Sequence, residues 1–182
     1  SALLCANSLN FKDALNLLFE RGKSMQEAIP VGQGGMLAVL GTKAEDISNF
    51  ILQLKSKGVC EIANDNAEGQ IIVSGNIETI EELKNILRVN KKKSILLPVS
   101  APFHCSLMNP AAIKMKKKID NINFRKPDYE VISNVTSLPT NKPEDIKNLL
   151  VQQIYSKVRW RESILYMDSK KINDFIEIGP GK

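Results

Sequence analysis

At 182 residues, with 43% hydrophobic and 25% charged residues, the chain has the composition of a globular protein that can bury a core. Its net charge of +5 comes from 20 lysines and 5 arginines, and aromatics make up only 5%. That is poor evidence for nucleic acid, whose modules interleave arginine and aromatics on a basic face.

The longest apolar runs, such as 95–99, are too short to span a bilayer. Three widely spaced cysteines, Cys5, Cys60 and Cys105, form no C-x-x-C pair. They point to reduced thiols, in the cytoplasm or an organelle matrix, and offer no zinc pattern. Residues 1–6 read as the middle of an uncapped helix, and 179–182 as a loop with nothing after it. The expectation is therefore an internal piece of a longer protein.

Residues 13–28 are expected to form an amphipathic helix with Leu18, Gly22 and Met25 on one face. A mid-helix glycine costs about 1 kcal/mol against alanine. Gly22, next to Arg21, therefore suggests close approach of a backbone or a ligand. Pro30, Gly32, Gly34 and Gly35 come next. They lack the Lys-Ser/Thr ending of a phosphate loop and read as a hinge.

The pattern then predicts a strand over 36–40 and a helix over 44–57 with Ile47, Phe50, Ile51 and Leu54 on one side. After these come a strand over 59–63, a turn over 64–69 and a strand over 70–74. The unit closes with a helix over 80–89, capped by Asn76 or Thr79, and a strand over 94–99. This β-α-β-β-α-β order is the split arrangement of ferredoxin-like domains, with four antiparallel strands and two helices on one face.

From Asn109 a longer alternation begins. A helix is expected over 110–119, an extended run over 129–135, helices over 144–156 and 160–170, and a final strand over 174–178 ending in Gly-Pro-Gly. The expected fold class is α/β. A body of residues 1–30 and 98–182 is interrupted by a ferredoxin-like subdomain at 31–97.

The only histidine, His104, stands just past the 94–99 strand, behind Pro102. A side chain on a rigid turn at a strand end is well placed for chemistry, and imidazole exchanges protons near neutral pH. A partly buried turn histidine is the alternative. The runs 91–93 and 114–118 are lysine-rich and read as solvated faces; an acidic protein is as good a partner for them as RNA.

Several segments together resemble one family. Ser1-Ala2-Leu3-Leu4-Cys5-Ala6 is similar to the segment directly after the nucleophile elbow of malonyl-CoA:acyl-carrier-protein transacylases. Glu20-Arg21-Gly22-Lys23-Ser24-Met25-Gln26 resembles that family's arginine motif, and Asn64-Asp65-Asn66-Ala67-Glu68-Gly69-Gln70 its Asn-x-x-Gly-Gln segment. Pro98-Val99-Ser100-Ala101-Pro102-Phe103-His104-Cys105 resembles its histidine motif. Val151-Gln152-Gln153-Ile154-Tyr155 and Glu177-Ile178-Gly179-Pro180-Gly181 resemble two further blocks. The resemblance runs through the whole chain in order.

It implies a hydrolase-like α/β body with a ferredoxin-like insertion. It also implies transfer of a malonyl group from malonyl-CoA to the phosphopantetheine thiol of acyl carrier protein, through an acyl-serine intermediate, in fatty-acid biosynthesis. The family's Gly-His-Ser-Leu-Gly elbow is absent from residues 1–182. These residues alone are therefore expected to be inactive, and the parent protein to be the enzyme.

The resemblance makes His104 the general base and Gln153 the residue whose backbone carbonyl orients it. Arg21 would hold the malonyl carboxylate; the alternative is a surface arginine paired with Glu20 or Gln26. Met25 would line the same pocket or be simple core. Phe103 would crowd an α-methyl branch or be a core ring. Asn66 and Asn134 would help position substrate or the histidine loop.

Neither a metal nor a cofactor is expected, since the coenzyme A thioester and phosphopantetheine are substrates. The expected protein is a cytoplasmic or organelle-matrix monomer that binds no nucleic acid and no membrane. Two alternatives stay open: an acyltransferase of a polyketide assembly line, and a non-catalytic ferredoxin-like binding module. Against the second, the predicted strands 59–63, 70–74 and 94–99 carry no aromatic for RNA to stack on.

Overall fold

The computed structural model describes residues 1–178, so the Gly-Pro-Gly part of the last motif lies outside the described residues. The architecture is α/β. Its regular sheet has four strands in the order β2-β3-β1-β4, formed by β1 (Gly34–Leu40), β2 (Cys60–Ala67), β3 (Gln70–Asn76) and β4 (Lys93–Leu96). All pairings are antiparallel, with Leu37 opposite Val73 on one side and Leu96 on the other. Helix α3 (Ala44–Ile51) follows β1, and α4 (Ile77–Val89) follows β3.

Alternation along β1 and β3 puts Leu37, Val39, Ile71 and Val73 on one face. They meet Ile47 of α3 and Ile80, Leu83 and Leu87 of α4 in one buried cluster. The spacing of three and four residues in α4 is what aligns those three side chains.

Several element ends differ from the sequence expectation. Strand β2 runs on to Ala67, so the expected turn shrinks to Glu68-Gly69. Its ladder with β3 carries it there, with Asp65 opposite Ile71 and Ala67 opposite Gln70, while a distant segment lines its other edge: Val158 N–H donates to Ala63 O at 2.7 Å, and Asp65 N–H donates to Val158 O at 2.9 Å. Helix α3 stops at Ile51, because the Lys55 and Ser56 amides donate to the Glu82 carboxylate, each at 3.0 Å. Asn76 is the N-cap position of α4, yet its side chain accepts from Val59 N–H at 2.7 Å instead. Strand β4 ends at Leu96, and residues 97–105 are irregular.

The rest of the chain packs around a second cluster. It joins Ala14 and Met25 of α2 (Phe11–Gln26), Ala111, Met115 and Ile119 of α5 (Asn109–Asp120) and Ile146 of α6 (Pro143–Gln152). Asn10 caps α2 by accepting from Asp13 N–H at 2.9 Å. The inward face of α2 is Ala14, Ser24 and Met25. Leu18 and Gly22, expected on that face, are exposed. Among the described residues a Cβ on Gly22 would meet nothing within 4 Å outside the backbone of its own helix.

Short α1 (Ala2–Cys5) precedes α2, and α7 (Trp160–Ser169) follows α6. The extended run expected over 129–135 contracts to the two-residue strand β5 (Val131–Ile132), paired with β6 (Pro139–Thr140). The strand expected over 174–178 does not form: no neighbour pairs with it among the described residues, and Ile176 and Ile178 are exposed. No described helix is long and apolar enough to cross a membrane.

Candidate active site

His104 sits at φ +60°, a left-handed conformation that only a well-held loop imposes on a residue with a β-carbon. Contacts from α2 and from the four-stranded sheet hold that loop. Ser100 Oγ donates to Gln26 Oε1 at 2.6 Å, and the buried Cys105 thiol donates to Pro102 O at 3.1 Å. Ser106 donates to the Glu61 carboxylate twice, from its amide at 3.0 Å and its hydroxyl at 2.5 Å. Gly34 lies so close under Pro102 that a Cβ there would come within 2.4 Å of the proline ring.

The imidazole Nδ1 lies 2.9 Å from the backbone oxygen of Gln153. A carbonyl can only accept, so Nδ1 carries the proton and Nε2 is left with a free lone pair. Gln153 is the C-cap of α6, where carbonyls lack an intrahelical partner and the helix end is partially negative. The expected helix to residue 156 would have consumed that carbonyl; ending at Gln152 makes it available.

Burial pushes the His104 pKa below its ordinary value, and the positive charge of Arg21 adds to this, against the opposing pull of the Gln153 carbonyl. The imidazole is therefore neutral near pH 7.

Arg21 is half-buried, and desolvation lowers its pKa from the usual arginine range. Among the described residues it forms no ion pair. Both neighbours that could have engaged it are occupied, Glu20 by Lys118 at 3.5 Å and Gln26 by Ser100. A desolvated guanidinium without a carboxylate is a binding group for one.

Arg21, Asn134 and Gln153 line a cavity of about 390 Å³, whose other walls are mainly apolar, including Leu17, Ile132 and Ile154. His104 is not part of that lining; it reaches the cavity wall through Gln153. Asn134 Oδ1 accepts from Gln153 Nε2 at 2.5 Å, so the same residue is gripped at its side chain and at its carbonyl.

Three further expected site residues stand, like His104, outside that lining. Met25 is sealed in the body core. The ring of Phe103 packs against that core. Asn66 stands half-buried on β2. None of the three lines the cavity.

Two supporting residues carried no sequence signal of their role. Glu61 holds Ser106. Arg159 Nη1 donates to Val135 O and Thr136 O, each at 3.4 Å, and its amide donates to Asn134 O at 3.0 Å. The Arg159 side chain pairs in turn with Glu162.

Cys105 follows His104 but is no competing nucleophile, because burial raises its thiol pKa. Burial pushes Cys60 up to about 12. Among the described residues no group of three or more His, Cys, Asp or Glu is gathered for a metal.

No family model matches the chain. Curated relatives do. It is 41% identical over its full length to the malonyl CoA-acyl carrier protein transacylase of Bacillus subtilis (strain 168). It is 36% identical over its full length to that of Escherichia coli (strain K12).

Among solved structures, the transacylase of Clostridium perfringens superposes with a TM-score of 0.95 at 38% identity, covering 100% of this chain and 57% of that one. A complex of the malonyl-transacylase PlMCAT with AntF, a type II PKS acyl-carrier protein, matches with a TM-score of 0.95 at 35% identity, over 99% of this chain and 59% of that one. Throughout its length the chain is a homologue of the malonyl CoA-acyl carrier protein transacylases, and it spans 58% of the length of the Bacillus relative and 59% of the Escherichia one.

Proposed function

We propose that the protein transfers malonyl groups from malonyl-CoA to the phosphopantetheine thiol of acyl carrier protein, through an acyl-serine intermediate, in fatty-acid biosynthesis. One observation carries this reading. A neutral histidine with its Nε2 free, oriented by a backbone carbonyl, stands in the electrostatic reach of an arginine that pairs with no carboxylate among the described residues.

A serine hydroxyl is hardly ionised near neutral pH and needs such a base. His104 Nε2 takes the serine proton as the oxygen attacks the thioester. The resulting imidazolium is stabilised by the Gln153 carbonyl, then gives its proton to the departing coenzyme A thiolate. In the second half-reaction the same nitrogen takes the carrier thiol's proton as the sulfur attacks the acyl-serine; the serine O–acyl bond breaks and the imidazolium returns that proton to the departing serine oxygen. Arg21 holds the free malonyl carboxylate, and Asn134 steadies Gln153.

Acyl transfer of this kind draws on no cofactor; both the thioester and the thiol are substrates. The placement of Phe103 and Met25 supports packing roles for both.

In the same proposal the four-stranded unit is a ferredoxin-like subdomain, residues 31–97, inserted into a hydrolase-like body of residues 1–30 and 98–182. Two separate buried clusters and the strand order support this division. Strands β1 to β4 contain no aromatic residue, which speaks against an RNA-binding sheet. The site suits a cytoplasmic monomer acting on soluble substrates. The likeness to a transacylase solved with a polyketide carrier favours one second reading, transfer to a polyketide carrier protein. Comparing the two carriers as acceptors separates the readings.

The test of the main proposal is Arg21→Ala in the full-length protein. A charge-assisted hydrogen bond is worth about 1.5–3 kcal/mol, and about 1.4 kcal/mol is tenfold. The malonyl-to-acetyl ratio of kcat/KM should fall at least about tenfold. Equal losses on both substrates would remove Arg21 as the carboxylate clamp. Lysine should restore only part of the malonyl rate, since it lacks the planar fork.

A further inference from the structure

We infer that Glu61, on the inserted sheet, is a positioning residue for the base His104, holding it through the backbone of Ser106. The inference rests on the acyl-transfer reading for its kinetic consequence but not for its geometry. Glu61 lies on β2, forty-five residues from Ser106 in sequence, and is half-buried. Both its oxygens are taken by that one residue, at 3.0 Å and 2.5 Å. No lysine or arginine pairs with it among the described residues.

A half-buried carboxylate without a counter-ion is retained at a cost unless its hydrogen bonds do something. Here they clamp the chain two residues past His104, at the start of the 3₁₀ turn Ser106–Met108 that leads into α5. The amide it binds belongs to that turn's unpaired N-terminal end, where a carboxylate is favoured.

His104 is held in the left-handed region, and its ring must point at Gln153 O. From the C-terminal side, that backbone is fixed by the Glu61–Ser106 pair and by burial of Cys105. What moves the ionisation of His104 is burial, the Gln153 carbonyl and Arg21. Glu61 thus acts through backbone geometry. The inserted sheet is tied to the base by this contact, which gives the insertion a part in catalysis.

The test uses the fact that His104 is the only histidine of the chain. Its Nδ1–H can be followed by NMR after ¹⁵N-histidine labelling. Glu61→Ala should speed exchange of that proton with solvent by about tenfold or more. Glu61→Gln, which keeps one acceptor, should lie between wild type and alanine. Ser106→Ala, which keeps the amide bond, should change it by about twofold. Asp65→Asn, on the same strand but bound to Arg161, controls for general loosening of β2 and should leave exchange near wild type.

In the transfer assay Glu61→Ala should lower kcat about ten- to a hundredfold with the KM for malonyl-CoA unchanged. Unaltered exchange in both Glu61 variants, or equal acceleration in Asp65→Asn, overturns the inference. Should the alanine variant not fold, Glu61→Gln and Ser106→Ala decide it by the same exchange readout. The transfer readout is taken on the full-length protein: a full-length wild type that transfers no malonyl group would overturn the proposed function instead, leaving the exchange result to judge Glu61.

Discussion

The sheet unit and the body are built on different principles. The sheet unit closes its core from within, since strands β1 and β3 and helices α3 and α4 supply all eight buried residues of its cluster. The body gathers its core from segments scattered along the chain, and leaves Phe11, Leu15 and Phe19 of α2 on the surface. The candidate site sits in the second kind of region, in irregular loops between elements, and borrows rigidity from the first through Glu61 and Gly34. A preorganised base needs a stiff frame, while substrate access needs an open one.

The sharpest way to break this contrast is to remove the base. His104→Ala should slow both half-reactions by roughly 10²–10⁴-fold while the sheet unit stays folded. Burst kinetics of acyl-enzyme formation would show it, and normal acylation would assign the base elsewhere.

Next in size is a matched pair of truncations. Leu83→Ala, at a fully buried position of the sheet unit, should cost about 2–5 kcal/mol in urea unfolding. Leu18→Ala, at a position 51% exposed on α2, should cost within about 0.5 kcal/mol. Similar losses at both sites would mean that α2 buries more than its packing here shows.

A smaller effect concerns pH. The folded His104 pKa lies below its unfolded value, so the fold disfavours the charged imidazole. The associated stability is present above the unfolded pKa, about 6.5, and is lost as pH falls through the folded value. The acid limb of kcat/KM should lie below that same pH, and Arg21→Ala should move it upward. Unfolding curves of wild type and His104→Gln should diverge only in that acid window.

The smallest effect sharpens the reading of Gly22. With open space around it in a helix interior, Gly22→Ala should stabilise by about 0.5–1 kcal/mol, visible as a higher Tm with unchanged kcat/KM. A loss of activity at unchanged stability would restore the ligand-approach reading.

Periodicity made the sheet unit legible in advance, because its strands and helices sit next to one another in sequence and each carries its own alternating or three-to-four pattern. His104 and Arg21 stood out by residue type and setting, and their roles came from the resemblance of several motifs in order. Boundaries differ from the expectation where pairing decides them: the ladder with β3 carries β2 on to Ala67, and Glu82 holds the chain just past α3. The placements of Met25 and Leu18 depended on the rotation of α2 against α5.

What the sequence alone determined is thus the order of elements in the sheet unit and the candidate chemistry, since both are local properties of side chains and their spacing. The tertiary structure alone decided that α6 ends where the Gln153 carbonyl can meet an imidazole forty-nine residues away. It also decided that Arg21 pairs with no carboxylate among the described residues, and that Glu61 grips the histidine loop. Such pairings form only when separate segments are packed together, because a hydrogen bond depends on distances that no sequence spacing encodes.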